Sequence, residues 1–325
     1  MAQLRRRIHN LKSNNDTGFS VNADSQGGRF INKDGTFNVV KRGIPISERL
    51  SLYHKFLMMP NSRFLVTIFL SFTVINLCFT IIYFLMGPNE LAGMISKTPW
   101  DHFKEMFFFS TQTFTTVGYG RINPVGTFAS IVSSLEALTG LLSFAIITGL
   151  LYGRFSRPRA YLRFSKHAVI APYHDMQALM FRFVSYKENH TLTDVEVKVT
   201  LGITVQENGK GVFKFYSLPL ERNRVDSLPM NWTVVHPINE ESPVYGFTEN
   251  DYKEADAEIY VLVRGFDDVF SNTVQQRTSY TWREILHGAK FERMSHESED
   301  DSTTIIDIDK LDEISKVARQ AVVKP

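Results

Sequence analysis

The sequence predicts a membrane α plus all-β fold: two membrane-spanning helices with a re-entrant helix between them, followed by a β-sandwich. Three observations predict it. Residues 64–86 and about 125–153 form long apolar runs, and a short aromatic stretch between them ends in Thr116-Val117-Gly118-Tyr119-Gly120. Beyond Lys166, strand-like runs alternate with Asn-Gly, Pro and acidic turns. Mean hydropathy is −0.13, too polar for a chain lying wholly in a bilayer, so the average hides an apolar part and a polar part. The 325 residues suit two or three compact units.

Composition excludes several classes. A formal charge of +2 gives no case for a nucleic-acid partner. Cys78 is the single cysteine, so neither an internal disulfide nor a cysteine-based metal cluster can form. His167, His174 and the other histidines lack the spacing of a zinc site. Arg5-Arg6-Arg7 is followed by no apolar run before Phe64, which argues against a cleaved secretory signal.

The elements follow in order. Residues 1–44 form an N-terminal segment, polar and disordered to about Asp34, with a short strand from Gly35 to Val40. Residues 45–60 read as an interfacial helix: Ile46, Leu50, Tyr53 and Leu57 recur at helical spacing, with Ser47 as a cap. Residues 61–153 are the membrane domain. Its first span covers about 63–86, uncharged past Arg63, and at ~1.5 Å per residue crosses a ~30 Å hydrocarbon core. Its second span covers about 125–153, and a re-entrant helix covers about 100–113, where Asp101 suits the positive end of the helix dipole. Residues 154–325 form the sandwich, with strands in MFRFVSY, VEVKVTLGITV, GVFKFYSLPL, NWTVVHPI and AEIYVLVRGF. Glu292 to Thr304 reads as a solvated acidic loop, and Ile308 to Val317 as an amphipathic helix. Cations flank the outer ends of the spans (Arg49, Lys55 and Arg63; Arg154, Arg157, Arg159, Arg163 and Lys166), whereas the connecting segment has chiefly Lys97, Lys104 and Arg121. The positive-inside rule then predicts a multi-pass protein with both termini cytoplasmic.

Non-helical backbone at membrane depth is tolerated only where it lines a cavity. The stretch 116–120 matches the sequence whose carbonyls, in four copies, replace the hydration shell of potassium in channel filters. Gly118 and Gly120 permit backbone conformations barred to other residues, and Thr116 can add its hydroxyl. Val117 and Tyr119 would face away from the axis and wedge against Phe107 to Phe109. One loop cannot encircle an ion; four identical ones can. Glu136, ionisable inside a span, reads as functional or paired by default, supporting the filter from behind through hydrogen bonds or protonation. Gly140 and Gly149 read either as bending points or as small residues at helix contacts.

Taken with SSLEALTG, YGRFSRPRA, WTVVHPINEESPVYGFTE and QQRTSY, the filter makes the chain resemble the prokaryotic inward-rectifier potassium channels, the Kir family. The resemblance runs from near Ile46 through nearly all of the β domain. It implies a homotetramer in the bacterial inner membrane with potassium held at Thr116, Val117, Gly118 and Tyr119 and no other resident cofactor. It implies an immunoglobulin-like cytoplasmic sandwich as vestibule. By the same likeness Tyr152 is the innermost constriction, with interfacial anchoring as its alternative role, and Phe144 lines the pore above it. Asp194 and Asp268 match acidic positions that would concentrate K⁺, Mg²⁺ or polyamines. Arg49, Lys55, Arg63, Arg154, Arg157, Arg159 and Lys166 lie where anionic phospholipid is expected. Three departures stand out: Phe144 is not acidic, Gln112 replaces a glutamate that supports the filter in many members, and Arg121 directly follows the filter. No S4-like Arg repeat, GxGxxG fold or catalytic constellation is present, so voltage sensing, nucleotide regulation and enzymatic activity are disfavoured. The alternative from another class is a non-conducting membrane receptor whose β domain binds a partner.

Overall fold

The computed structural model describes residues 29–43, 45, 51–95, 97–188, 190–207 and 210–317. Contacts divide them into two units, residues 42–157 and residues up to 41 together with those from 158 onward. Each is built around its own core.

In the first unit, helix α1 (Leu52–Met58) is followed by α2 (Asn61–Met86), α3 (Pro99–Phe114) and α4 (Thr127–Phe155). α2 and α4 are both long and apolar enough to cross a membrane. The start of α1 is capped by Ser51, whose hydroxyl accepts from the His54 amide. Ser47 and Arg49 fall outside the described residues. α2 ends where Gly87 adopts a left-handed φ of 94°. α3 begins one residue before the expected start: Pro99 occupies the first turn, Thr98 accepts from the Asp101 amide at 3.2 Å, and Asp101 pairs with Lys104. A two-residue ladder, β1 (Leu91–Ala92) with β2 (Asn123–Pro124), closes the two loops around α3. Tyr83, Leu91, Met106, Phe109, Ile122 and Val132 form this unit's apolar core, and the Tyr83 and Phe109 rings meet edge to face at 5.2 Å.

The second unit is a sandwich of two five-stranded sheets. One has the order β11 (Asn272–Thr281), β10 (Glu258–Asp267), β6 (Leu192–Glu207), β7 (Lys210–Ser217), with β8 (Arg224–Ser227) also on β6. The other has β12 (Ile285–His287), β4 (Ala168–Tyr173), β5 (Met176–Ser185), β3 (Leu162–Phe164), with β9 (Trp232–Ile238) also on β5. All ladders are antiparallel except β12–β4. Val195, Val197, Val199, Leu201 and Ile203 show the period-2 alternation of a half-buried strand and fill the core opposite Leu179, Phe181 and Phe183. His236 is buried within WTVVHPI. Its ring nitrogens meet the Pro219 carbonyl and the Ser242 hydroxyl, and burial lowers its basicity. This is a satisfied core histidine.

Four expectations change. Glu292 to Thr304 is not a plain loop: β14 (Ser295–Glu297) pairs with β15 (Thr304–Ile306), because Met294 is drawn into a cluster with Val184 and Leu311. Ile308 to Val317 is not a helix but a 3-10 turn, Ile308–Asp312, followed by β16 (Ile314–Lys316), which pairs with β13 (Ala289–Phe291). The reason is Arg182 on β5. Buried at 2% exposure, it donates to the carbonyls of Glu292, Lys310, Leu311 and Glu313 and so turns that backbone inward. The strand expected at Gly35–Val40 reduces to a single bridge between Ile31 and Phe37 across a turn. Gly35 is required there: its φ is 83° and a Cβ would lie 2.5 Å from the Arg277 carbonyl oxygen.

Residues 29–34, expected to be disordered, are instead anchored on the β10–β11 face. Ile31 is buried against Phe213, Phe215 and Tyr260, its carbonyl accepts from Ser279, and Arg29 pairs with Glu284. Lys33 lies over the Tyr280 ring at 3.6 Å, and burial pushes its ammonium down from 10.5 to about 8, with Glu284 opposing and Arg29 adding to the shift. The docked state therefore disfavours the charged lysine. Its docking should be weakest below pH about 8 and strengthen as pH rises from there toward the undocked value of 10.5. Amide protection at Asn32 and Asn38, whose amides donate to the Thr36 and Phe30 carbonyls, followed across that window, should rise in the wild type and stay flat in Lys33→Met.

Candidate functional site

The site is the loop that leaves α3. At the helix end the amides of Val117 and Gly118 both turn back to the Gln112 carbonyl, at 3.0 and 3.3 Å. Beyond that point the backbone alternates: φ is 59° at Thr116, 52° at Gly118 and 80° at Gly120, with Val117 and Tyr119 on the negative side. In a strand successive carbonyls point opposite ways; reversing the sense at every second residue aims them along one side. Two of the three left-handed positions are glycines. The third, Thr116, is β-branched and strained there. No hydrogen bond among the described residues ends on the carbonyls of Thr116, Val117, Gly118 or Tyr119. The Gly120 carbonyl accepts from Asn123.

Two sequence expectations are corrected at this loop. Val117 and Tyr119 are not wedged against Phe107 to Phe109; they are 52% and 79% exposed on the single chain. Phe109 is committed to Tyr83, and Phe107 to Phe108. Gln112 acts through its carbonyl. The outer side of the loop is held instead by Glu105, unnoticed in the sequence, which pairs with Arg121 at 2.8 Å and accepts from the Ile95 amide at 3.2 Å. An acid on the outward half of α3 facing a basic residue just past the filter was the available signal.

Glu136 does not touch the filter. It lies fully buried between α2 and α3, accepting from Tyr83 at 2.7 Å and meeting the Ser110 hydroxyl. Asn76, also fully buried, faces Ser110 from α2. A polar residue in the middle of a span was the signal for Asn76.

Lower on α4 the two glycines separate. A Cβ on Gly140 would lie 1.9 Å from the Phe114 carbonyl oxygen, so this glycine lets α4 press on the end of α3 and is a contact, not a bending point. Nothing lies within 4 Å of a Cβ at Gly149. Phe144 and Tyr152 are 71% and 74% exposed on the single chain. Arg154, expected to meet lipid, is occupied elsewhere. Its guanidinium donates to the carbonyls of Phe56, Leu57 and Met59 and to Asn61 Oδ1, and lies 4.4 Å over the Phe64 ring. It clasps the α1–α2 corner, where the last carbonyls of α1 lack helical partners. Arg157 contacts the Met58 sulfur; Lys55 and Arg63 are exposed.

In the sandwich, Arg159 is exposed, while Lys166 pairs with Asp312 at 3.1 Å. Asp194 and Asp268 are brought to one end of the β6–β10 ladder through Thr193, which donates to Asp268 at 3.3 Å. Asp194 is not a free anion: it pairs with Arg224 at 2.6 Å.

Three substitutions test these assignments. Gly140→Ala should destabilise the protein by about 1–3 kcal/mol through overpacking, whereas Gly149→Ala should be neutral or stabilising by up to about 1 kcal/mol through helix propensity; thermal unfolding in detergent distinguishes them. Arg154→Gln should lower the unfolding temperature equally in neutral and anionic lipid. A loss confined to anionic lipid would mean the guanidinium serves headgroups instead.

Comparisons with known proteins agree with this architecture. Residues 61–157 match the ion channel family model, and residues 162–324 match the model of the inward rectifier potassium channel C-terminal domain. The chain is 32% identical over 265 residues to inward rectifier potassium channel Kirbac3.1 of Paramagnetospirillum magnetotacticum, covering 81% of this chain and 88% of that protein. It is 27% identical to ATP-sensitive inward rectifier potassium channel 12 of Bos taurus, over 81% of this chain but 66% of that longer protein. A solved structure, the sporulation control protein Spo0M from Bacillus subtilis, shares 8% identity and a TM-score of 0.21 over 38% of this chain and 47% of its own. That likeness carries no argument. With a relative above 30% identity spanning most of both chains, and two family models matched in order, the chain belongs to the inward rectifier potassium channel family.

Proposed function

We propose that four copies of this chain surround one axis and pass potassium through the loop 116–120. The observation that carries this reading is the alternation at Thr116, Gly118 and Gly120, with four successive carbonyls that have no hydrogen-bond partner among the described residues. Inside a membrane such carbonyls cost several kcal/mol each unless something replaces water. A dehydrated cation at the centre of four loops does so, with the Thr116 hydroxyl adding a ring at the inner end. The exposed Val117 and Tyr119 side chains then find their contacts on neighbouring subunits, as does much of the exposed apolar surface of α2 and α4.

Tyr152 forms the inner constriction, closing by dewetting when four rings approach the axis, with Phe144 lining the cavity two turns above. Gly149 is the bending point. Both termini lie in the cytoplasm of a bacterial cell, the protein being multi-pass in the inner membrane. Lys55, Arg63, Arg157 and Arg159 meet anionic phospholipid. Asp268, with Asp194 partly neutralised by Arg224, lines the cytoplasmic vestibule and attracts K⁺, Mg²⁺ or polyamines. Phe144 carries no charge to hold a blocking cation in the cavity, so rectification is weak.

Rubidium uptake into liposomes tests the reading. Wild-type protein should load vesicles and discriminate against sodium. Gly118→Ala, which forces a Cβ into a left-handed conformation costing roughly 1–2 kcal/mol per subunit, should lose uptake or selectivity. Unchanged K⁺/Na⁺ discrimination in that variant would remove the filter assignment, and a silent wild type in several lipids would favour the receptor reading. Weakened flux in anionic vesicles for Lys55→Gln with Arg63→Gln, and no change in neutral ones, is the expected lipid signature.

A further inference from the structure

The buried polar cluster in the membrane unit contains more oxygen atoms than an ionised Glu136 can satisfy. Ser110 Oγ lies against Glu136 Oε1, 3.1 Å from Asn76 Oδ1 and 3.2 Å from the Asn76 carbonyl. The Asn76 carbonyl already accepts from Thr80 at 2.6 Å. The Asn76 amide cannot turn over to help, because its Nδ2 donates to the Phe72 carbonyl at 2.8 Å, and a carbonyl only accepts. Ser110 thus has one proton and two side-chain oxygens asking for it. If Glu136 is a carboxylate, Ser110 donates to Oε1 and is left facing Asn76 Oδ1 with no hydrogen between two oxygens.

A proton on Glu136 Oε1 resolves the count. Glu136 donates to Ser110, Ser110 donates to Asn76 Oδ1, and Tyr83 donates to Oε2 at 2.7 Å, so each contact carries one hydrogen. The surroundings agree. Among the described residues, the groups facing Glu136 are Tyr83 from α2 and Ser110 from α3, and no cation pairs with it. Asn76, Thr80, Ser110 and Glu136 are all fully buried, so water does not supply missing partners at their surfaces.

We propose that Glu136 is held as a neutral acid in a hydrogen-bonded relay, Tyr83 to Glu136 to Ser110 to Asn76, that positions the filter-bearing helix. Its lever is short: Ser110 stands two residues before Gln112, whose carbonyl receives the Val117 and Gly118 amides. The relay fixes the rotation of α3 between α2 and α4 and with it the start of the filter. Its functional consequence rests on the channel reading above; the proton assignment does not.

Infrared spectroscopy of the full-length protein reconstituted in lipid tests the proton directly. Wild type should show the carbonyl stretch of a protonated carboxylic acid, shifted in D₂O and missing in Glu136→Gln. In the same vesicles Glu136→Gln should keep rubidium uptake and selectivity within about twofold, since a neutral amide donates to Ser110 and accepts from Tyr83. Ser110→Ala and Glu136→Ala, which break the relay, should each lose roughly tenfold in uptake. Absence of the acid band, or a Glu136→Gln protein as impaired as Glu136→Ala, overturns the proposal. If Glu136→Ala does not fold, Ser110→Ala takes its place in that comparison. A silent wild type that still shows the band would sink the channel reading and leave the proton assignment standing.

Discussion

A backbone carbonyl outside a helix or ladder needs a partner, and in an apolar surround water cannot be it. Much of the architecture is the record of where those partners come from. At the α1–α2 corner they come from Arg154, whose planar guanidinium serves three carbonyls and an amide oxygen at once. In the sandwich they come from Arg182, which gathers four carbonyls from the segment between Glu292 and Glu313. Arginine suits this role because it offers five donors in a rigid fork and stays charged when buried. At the loop 116–119 no donor is found among the described residues, and on the channel reading proposed above a permeating cation is the partner that fits.

The parts of the fold legible in the sequence were those set by short-range pattern. Length and apolarity gave α2 and α4, the short polar and aromatic stretch with Asp101 near its start gave α3, and the strand-like run VEVKVTLGITV gave the central strand. The loop 116–120 was legible because its unusual backbone conformation is set by five consecutive residues, two of them glycines. What was not legible depended on atoms far apart in sequence. An arginine after a span reads as a topology signal whether it meets a headgroup or, like Arg154, carbonyls some 95 to 98 residues earlier. The segment at 308–317 has an amphipathic pattern suited to a helix, and Arg182, more than a hundred residues away, overrode it. Residues 29–34 looked too polar to order, yet Ile31 alone supplies an apolar anchor and the β10–β11 face supplies the rest.

Two of the three glycines of α4 show the same limit in a single helix. Gly140 and Gly149 have equal intrinsic cost, roughly 1 kcal/mol relative to alanine. What separates them is a neighbour: the Phe114 carbonyl stands where one Cβ would be, and nothing stands near the other. Glycine conservatively explains a close approach in the first case and leaves flexibility as its effect in the second.

That difference divides α4 into two mechanical parts. Its upper half is fixed to α3 by the Gly140–Phe114 contact and by Glu136 against Ser110, so it cannot tilt without disturbing the filter. Its lower half begins at an uncrowded glycine, carries the proposed constriction at Tyr152, and ends at Arg154, which grips the corner between α1 and α2. On the channel reading proposed above, Gly149 separates the contacts that hold α4 to α3 from those that Arg154 makes at the α1–α2 corner, so bending of the lower half at Gly149 leaves the loop 116–120 in place.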